Sequence, residues 1–254
     1  MRLYRIDHPD GPRWARRDAD DLVLLEGVPW EGATETDRRV AFEDAPLLAP
    51  ASPTKVIGIG RNYRAHAAEL GAPVPQEPLV FLKPPSSIIG PKAPIRHPSW
   101  VGRVDHEAEL GIVIGVETWQ LASPAEASRC IFGFCCVNDV TARELQKRDV
   151  QFTRAKGFDT FCPIGPCIVT DLDTRDLAVR ARVNGELRQD GRTSQMIFPP
   201  DHLVWFLSRV MTLQPGDIIS TGTPAGVGPL EPGDTVEVEV EGIGVLDNPV
   251  REDS

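Results

Sequence analysis

From Ala108 the chain alternates, with Ala108, Leu110, Ile112 and Ile114 taking every second position before Gly115. That is the period of a strand with one face on a core. Glu107 and Glu109 fall on the other face, about 7 Å apart along the strand. The apolar run Ile131–Val137 shows no alternation and ends in Asn138 and Asp139, so it reads as a buried strand that delivers an acid at its end. Lys55–Gly60 is a shorter buried strand that runs into Arg61–Leu70, a helix-forming stretch stopped by Gly71. Leu79–Leu82 makes a further strand with Lys83 at its mouth. Val179–Val183 followed by Asn184-Gly185 predicts a hairpin with a tight turn. Asp201 to Met211 has an amphipathic helical pattern with a structural role. Thr235–Glu241 alternates Val with Glu and reads as a strand with a wet face, closed by a hairpin through Gly242 to Val250.

Near the start, Leu3–Ile6 and Leu22–Leu25 are short strand candidates around a polar turn. They belong to a small unit of residues 1–50, and the Ala- and Pro-rich run Ala45–Pro53 reads as a linker to a second unit of residues 51–254. With 22 glycines and 24 prolines, many turns are expected. The chain is therefore read as β-rich α+β with short helices.

Charge and cysteine content narrow the function classes. Lys and Arg total 27 against 37 Asp and Glu, a net charge of −10, which argues against a nucleic-acid or anionic-membrane surface. No stretch is long and apolar enough to span a bilayer, and Met1–His8 lacks the apolar run of a signal peptide. The five cysteines (Cys130, Cys135, Cys136, Cys162, Cys167) show no Cys-x-x-Cys spacing, so reduced, buried thiols in a cytoplasmic protein are expected. Gly58-x-Gly60 after a strand lacks the third glycine and the downstream acid of a dinucleotide fingerprint. Thr221–Gly228 is glycine-rich but is followed by no Gly-Lys-Ser/Thr, so it is no Walker A loop. Its backbone N–H groups and the Thr223 hydroxyl are suited to a carboxylate.

The candidate chemistry centres on acids. By themselves Glu107 and Glu109 read as a solvated strand face, but Asp139 adds a third carboxylate. Converging on one point, the three would make an all-oxygen site suited to Mg²⁺, Mn²⁺ or Ca²⁺ rather than zinc. His66 and Glu69 are three apart and so share a helix face, either as an exposed pair or as an acid that fixes the tautomer of a general base. Pro73-Val74-Pro75 makes a stiff, exposed connection after them, as a mobile lid would need. Thr141–Glu144 matches a capping box and predicts a helix through about Lys147. Arg143 and Gln146 share a face in its first turns, where an anion is favoured. Lys83 balances the acids, binds a substrate carboxylate, or is an ordinary surface lysine. Lys156, followed by Gly157 and aromatic packing, is placed at a cavity wall, where it would stabilise an enolate or carboxylate.

These stretches together resemble the fumarylacetoacetate hydrolase family. The blocks that carry the likeness are Gly60–Tyr63 with His66 and Glu69, Phe81–Pro84, Asp105–Leu110, Asn138–Arg143, Ala155–Asp159 and Thr221–Gly228. Residues 1–50 look like the variable small N-terminal domain of bacterial members. Asp247 departs from the pattern, which has a basic residue there, and lies away from the chemistry. The resemblance implies a mixed β-roll or β-sandwich core and a homodimer. It also implies Mg²⁺ or Mn²⁺ held by Glu107, Glu109 and Asp139, with His66 and Glu69 on a lid. It points to 2-oxo or 2,4-dioxo acids of aromatic catabolism, held by Arg61, Lys83, Arg143, Gln146 and Thr223. Lys156 and the cation would stabilise an enolate, and the His66–Glu69 pair would activate water for C–C hydrolysis of an acylpyruvate. Isomerisation of the 2-hydroxyhepta-2,4-diene-1,7-dioate type or decarboxylation is the alternative, and a non-catalytic metal-binding dimer is a third reading.

Overall fold

The structure is a computed structural model and describes residues 1–253. Its larger sheet has 11 strands. In spatial order these are Thr34–Ala41, Asp21–Glu26, Arg13–Asp18, Arg2–Ile6, Cys162–Val169, Ile131–Asn138, Ala108–Ile114, Ile218–Ser220, Val56–Gly60 and Leu79–Lys83, with Ile88–Ile89 beside Cys162–Val169. A five-stranded sheet runs Glu186–Arg192, Ala178–Val183, Thr235–Val240, Gly244–Asp253, Ile95–Pro98. A ribbon of Thr141–Ala142, Val104–His106 and Gly228–Leu230 joins them. Most neighbours are antiparallel, but Ile218–Ser220 runs parallel to Val56–Gly60 and Ile95–Pro98 parallel to Gly244–Asp253. The fold is thus the mixed β-roll or sandwich with few, short helices that the resemblance implied.

The core lies between the two sheets. Ala108, Leu110, Ile112 and Ile114 face it as their alternation predicts, and meet Val179, Ala181, Val238, Val240 and Leu246 of the smaller sheet. Shortening Leu110 or Ile112 to Ala in such a site costs about 2–5 kcal/mol. The opposite face of the same strand is buried as well. Val113 packs with Val56, Val137, Ile164 and Ile218, under cover from Trp30, Ala49 and Ala51. An acid on that face is therefore not solvated. The four strands of residues 1–50 continue the larger sheet through pairing of Arg2–Ile6 with Cys162–Val169. Two of them, Arg13–Asp18 and Thr34–Ala41, escape the pattern because their arginines and acids interrupt any regular alternation with apolar residues.

Several local expectations are corrected. The Ala45–Pro53 segment is no free linker: Ala51 is in the core, and a Cβ on Gly90 would come within 2.4 Å of the Ala49 backbone. The first helix spans Arg64–Glu69, because Arg61 turns the chain in the left-handed region (φ 55°) and Tyr63 is extended. Thr141 and Glu144 form no capping box. Thr141 lies in the ribbon and donates to the Asp139 carbonyl at 2.8 Å, so the helix begins only at Arg143 and ends at Arg148. The later helix spans Pro200–Ser208, with proline presetting its first turn. The Asn184-Gly185 hairpin forms with both residues at positive φ (52° and 81°). All five cysteines are free and buried.

Candidate active site

Glu107 sits in the break between the strands Val104–His106 and Ala108–Ile114, its amide donating to Asn138 Oδ1 at 3.0 Å. Glu109 is on the next strand, whose pairing with Ile131–Asn138 sets Ala108 opposite Asn138. Asp139 follows directly, its amide donating to the Glu107 carbonyl at 2.9 Å. The ladder register therefore brings the three carboxylates together, with one oxygen from each within 4.8 Å of the others, all buried.

Three cations answer this charge unevenly. Lys156 Nζ donates to Glu107 Oε2 at 2.8 Å and to Asp139 Oδ2 at 2.5 Å. Lys83, fully buried rather than at a surface mouth, donates to Asp139 Oδ1 at 2.5 Å. Arg143 Nη2 donates to Glu107 Oε1 at 2.6 Å, its Nε to Asp105 Oδ2 at 2.8 Å and its Nη1 to Gln146 Oε1 at 2.6 Å. Among the described residues no cation pairs with Glu109. Its Oε2 accepts from Ser220 Oγ at 2.5 Å and from the Gly222 amide at 2.7 Å.

The two glutamates titrate in opposite directions. Burial works against ionisation of Glu107, yet Lys156 and Arg143, with His66, hold its carboxyl below the usual range. Burial, then the neighbouring Asp139 and Glu107, push Glu109 well above it. Burial also opposes the charge on Lys156, but Asp139 and Glu107 outweigh it and raise its pKa. A hard divalent cation fits this donor set: all-oxygen, buried, and short of positive charge at Glu109.

Glu107, Glu109, Arg143, Lys156 and Thr223 line a cavity of about 250 Å³, and His66 lines it from the first helix. His66 is buried, not surface-exposed, and Glu69 Oε2 lies 3.0 Å from its Nδ1. Arg61, Gln146 and Lys147 add polar groups to the wall, and Phe81 and Phe152 add apolar ones. Lys156 Nζ lies 5.0 Å from the centroid of the Phe81 ring.

The larger part of the chain, residues 55–251, matches the C-terminal domain of fumarylacetoacetate (FAA) hydrolase. Residues 1–50 match a domain described as Rv2993c-like, N-terminal. The chain belongs to the fumarylacetoacetate hydrolase family. Protein Rv2993c of Mycobacterium tuberculosis is 47% identical over 260 residues, 98% of each chain. A crystal structure of 5-carboxymethyl-2-hydroxymuconate delta-isomerase from Mycobacterium smegmatis is 47% identical, covers 100% of both chains and superposes with a TM-score of 0.93. Oxaloacetate tautomerase YisK of Bacillus subtilis is 42% identical over 219 residues, 81% of this chain and 72% of that protein.

Of the residues singled out in the sequence, His66, Arg61, Glu107, Glu109, Arg143, Gln146, Lys156 and Thr223 line this family member's cavity, while Lys83 and Asp139 lie behind its wall and Glu69 backs His66. The Gly222 amide, expected to face a ligand carboxylate, binds Glu109 instead. Arg143 spends its donors on Asp105, Glu107 and Gln146. Asp247 pairs with exposed Lys92, away from the cavity. Sequence reasoning misses Ser220, although a polar residue closing the apolar strand Ile218–Ser220 is the same signal that marks Asp139. Asp105 and Asn138 lie within the matching blocks, but nothing in those blocks assigns them a role. Among the described residues, no helix is long and apolar enough to cross a membrane.

Proposed function

We propose that this chain is a divalent-metal-dependent enzyme that takes a small 2-oxo or 2,4-dioxo acid through its enolate, and that its favoured reaction is C–C hydrolysis of an acylpyruvate. The observation that carries the reading is a buried His66, backed by Glu69, lining the same cavity as Glu107 and Glu109 of an acidic triad suited to a hard cation. When bound, Mg²⁺ or Mn²⁺ held by Glu107, Glu109 and Asp139 would polarise the oxygens of the oxo acid. Gln146 presents its amide N–H groups because its Oε1 is taken by Arg143. Together with Arg61 it holds the carboxylate and oxo groups; the Thr223 hydroxyl, expected to share that role, lines the wall with its hydrogen given to the Ala108 carbonyl. Arg143 acts through Glu107, which it orients. Lys156 supplies positive charge where the enolate forms.

In hydrolysis, His66 takes a proton from water as the oxygen adds to the C4 carbonyl, and Glu69 fixes the imidazole. The C3–C4 bond then breaks to give a carboxylic acid and pyruvate enolate, and a proton returned to C3 completes pyruvate. The names of the relatives favour a second reading, enol–keto isomerisation, in which the same pair only moves a proton between oxygen and carbon. Both act on a small-molecule acid, and a homodimer is part of the proposal.

The test is an assay with Mg²⁺ of pyruvate release from an acylpyruvate beside the decay of enol absorbance in enol-oxaloacetate. Hydrolysis predicts pyruvate from the wild type and a fall of about 10²–10⁴-fold in His66→Ala. Enol decay without pyruvate would overturn hydrolysis in favour of isomerisation.

A further inference from the structure

One side chain touches both halves of the site without entering the cavity. Gln189 lies on the strand Glu186–Arg192 of the smaller sheet and is fully buried. Its Oε1 accepts from the Ala108 amide at 2.9 Å and meets His106 Nδ1 at 3.0 Å. Its Nε2 donates to Thr223 Oγ1 and to the Pro224 carbonyl, each at 2.7 Å. The backbone partners fix the amide's orientation, since an N–H only donates and a carbonyl only accepts. His106 Nδ1 therefore carries the hydrogen. Thr223 Oγ1 receives one from Gln189 and donates its own to the Ala108 carbonyl at 2.8 Å. Ala108 stands between Glu107 and Glu109, so both polar groups of that peptide residue are tied to Gln189, one directly and one through Thr223.

The same loop reaches the base. The Gly226 amide donates to Glu69 Oε1 at 3.0 Å, while Glu69 Oε2 meets His66. The loop seats tightly on the strand of Gln189. A Cβ on Gly226 would come within 2.2 Å of the Arg188 carbonyl, and one on Gly191 within 2.4 Å of Pro224. Only a neutral amide offers two donors and two acceptors here. A glutamate of the same shape would turn lone pairs toward the Pro224 carbonyl and Thr223 Oγ1, and a leucine would take from the Ala108 amide, His106 Nδ1 and the Pro224 carbonyl the partner that Gln189 gives them.

We propose that Gln189 is a positioning residue that keys the acidic triad to the His66–Glu69 pair, holding the Glu107–Glu109 stretch and the loop behind Glu69 in one register. This rests on the reading of the site given above. The test compares the full-length wild type with Gln189→Glu, Gln189→Leu and a core control, Val238→Ala. Mn²⁺ alone is titrated by electron paramagnetic resonance, and kcat and KM are measured with and without Glu69→Ala. The expected result is Mn²⁺ affinity weaker by about 10–100-fold in Gln189→Leu, and weaker by less in Gln189→Glu, which keeps an acceptor for the Ala108 amide. The control should bind Mn²⁺ as wild type does, whatever its thermal stability. The loss caused by Glu69→Ala should be smaller by about twofold or more in the Gln189→Glu background, as coupled groups require. Mn²⁺ affinity and the Glu69→Ala effect both unchanged within about twofold in folded Gln189→Glu would overturn the proposal. Should Gln189→Leu fail to fold, Gln189→Glu and Thr223→Val decide it. A wild type that binds Mn²⁺ but turns over no oxo acid would sink the functional reading alone, since the Mn²⁺ titration stands without activity.

Discussion

Two stretches of this chain place glutamates at alternate positions, Glu107 and Glu109 in one and Glu237, Glu239 and Glu241 in the other. In the second, Val236, Val238 and Val240 fill the core while Glu237 and Glu239 are only half-buried and Glu241 is exposed. Glu239 meets Arg182 at 2.7 Å across the sheet, with Arg180 at 3.7 Å from its other oxygen, so this surface acid is well supplied with cations. Around Glu107 and Glu109 both faces are closed, a third acid arrives from the neighbouring strand, and the cations serve two of the three. The local patterns are alike; the environments are opposite. Alternation reports which side chains share a face, and only what packs on that face decides whether its charges are solvated or must find partners.

This contrast can be broken by substitution. The largest effect is expected from Lys156→Met, which leaves Glu107 and Asp139 short of a buried cation. Urea unfolding of the metal-free protein should show a loss of about 3–5 kcal/mol, partly restored by Mn²⁺. The matching change at the surface pair, Arg182→Met, should lose no more than about 1 kcal/mol. Equal losses would mean that the buried cluster is not under greater charge strain than the surface pair.

Glu109→Gln sharpens the point in the opposite sense. It removes a buried carboxyl that lacks a cation, so the metal-free protein should melt higher than wild type, while Mn²⁺ affinity falls by about 100-fold or more, at or beyond the range seen for outer-shell partners. A variant that melts lower without metal would refute the charge reading of this residue. The smallest effect belongs to Glu239→Gln: stability within about 0.5 kcal/mol of wild type and Mn²⁺ affinity unaltered, by denaturation and titration. Chelator treatment completes the set, because a ligand present at 100 times its Kd stabilises a fold by about 2.7 kcal/mol, a shift that Glu109→Gln should largely abolish.

Much of the site is legible in the residues themselves. Asp139 announces itself because an ionisable residue at the end of an apolar run needs a partner, Lys156 because a glycine and aromatic packing follow it, and His66 with Glu69 because three residues of helix bring them to one face. Where local context misleads, it does so for a common reason. Lys83 has the surroundings of a surface residue and Thr141 those of a helix cap, but only among their neighbours in sequence; in the fold Lys83 meets Asp139 and Thr141 turns to the Asp139 carbonyl. Arg143 has the look of a substrate ligand because nothing local reveals that Asp105 and Glu107 already hold it.

By itself the sequence determined the strands with regular alternation, the Asn184-Gly185 turn, the reduced buried thiols and the residue types from which an all-oxygen site is built, because each follows from short-range sterics and side-chain chemistry. Tertiary structure alone decided that both faces of Ala108–Ile114 are covered, that Glu109 is the carboxylate left without a cation, and that Gln189, more than 70 positions away in the chain, braces the peptide between the two glutamates. Those facts depend on strand register and on one sheet packing over another, contacts between distant segments that leave no periodic mark in either.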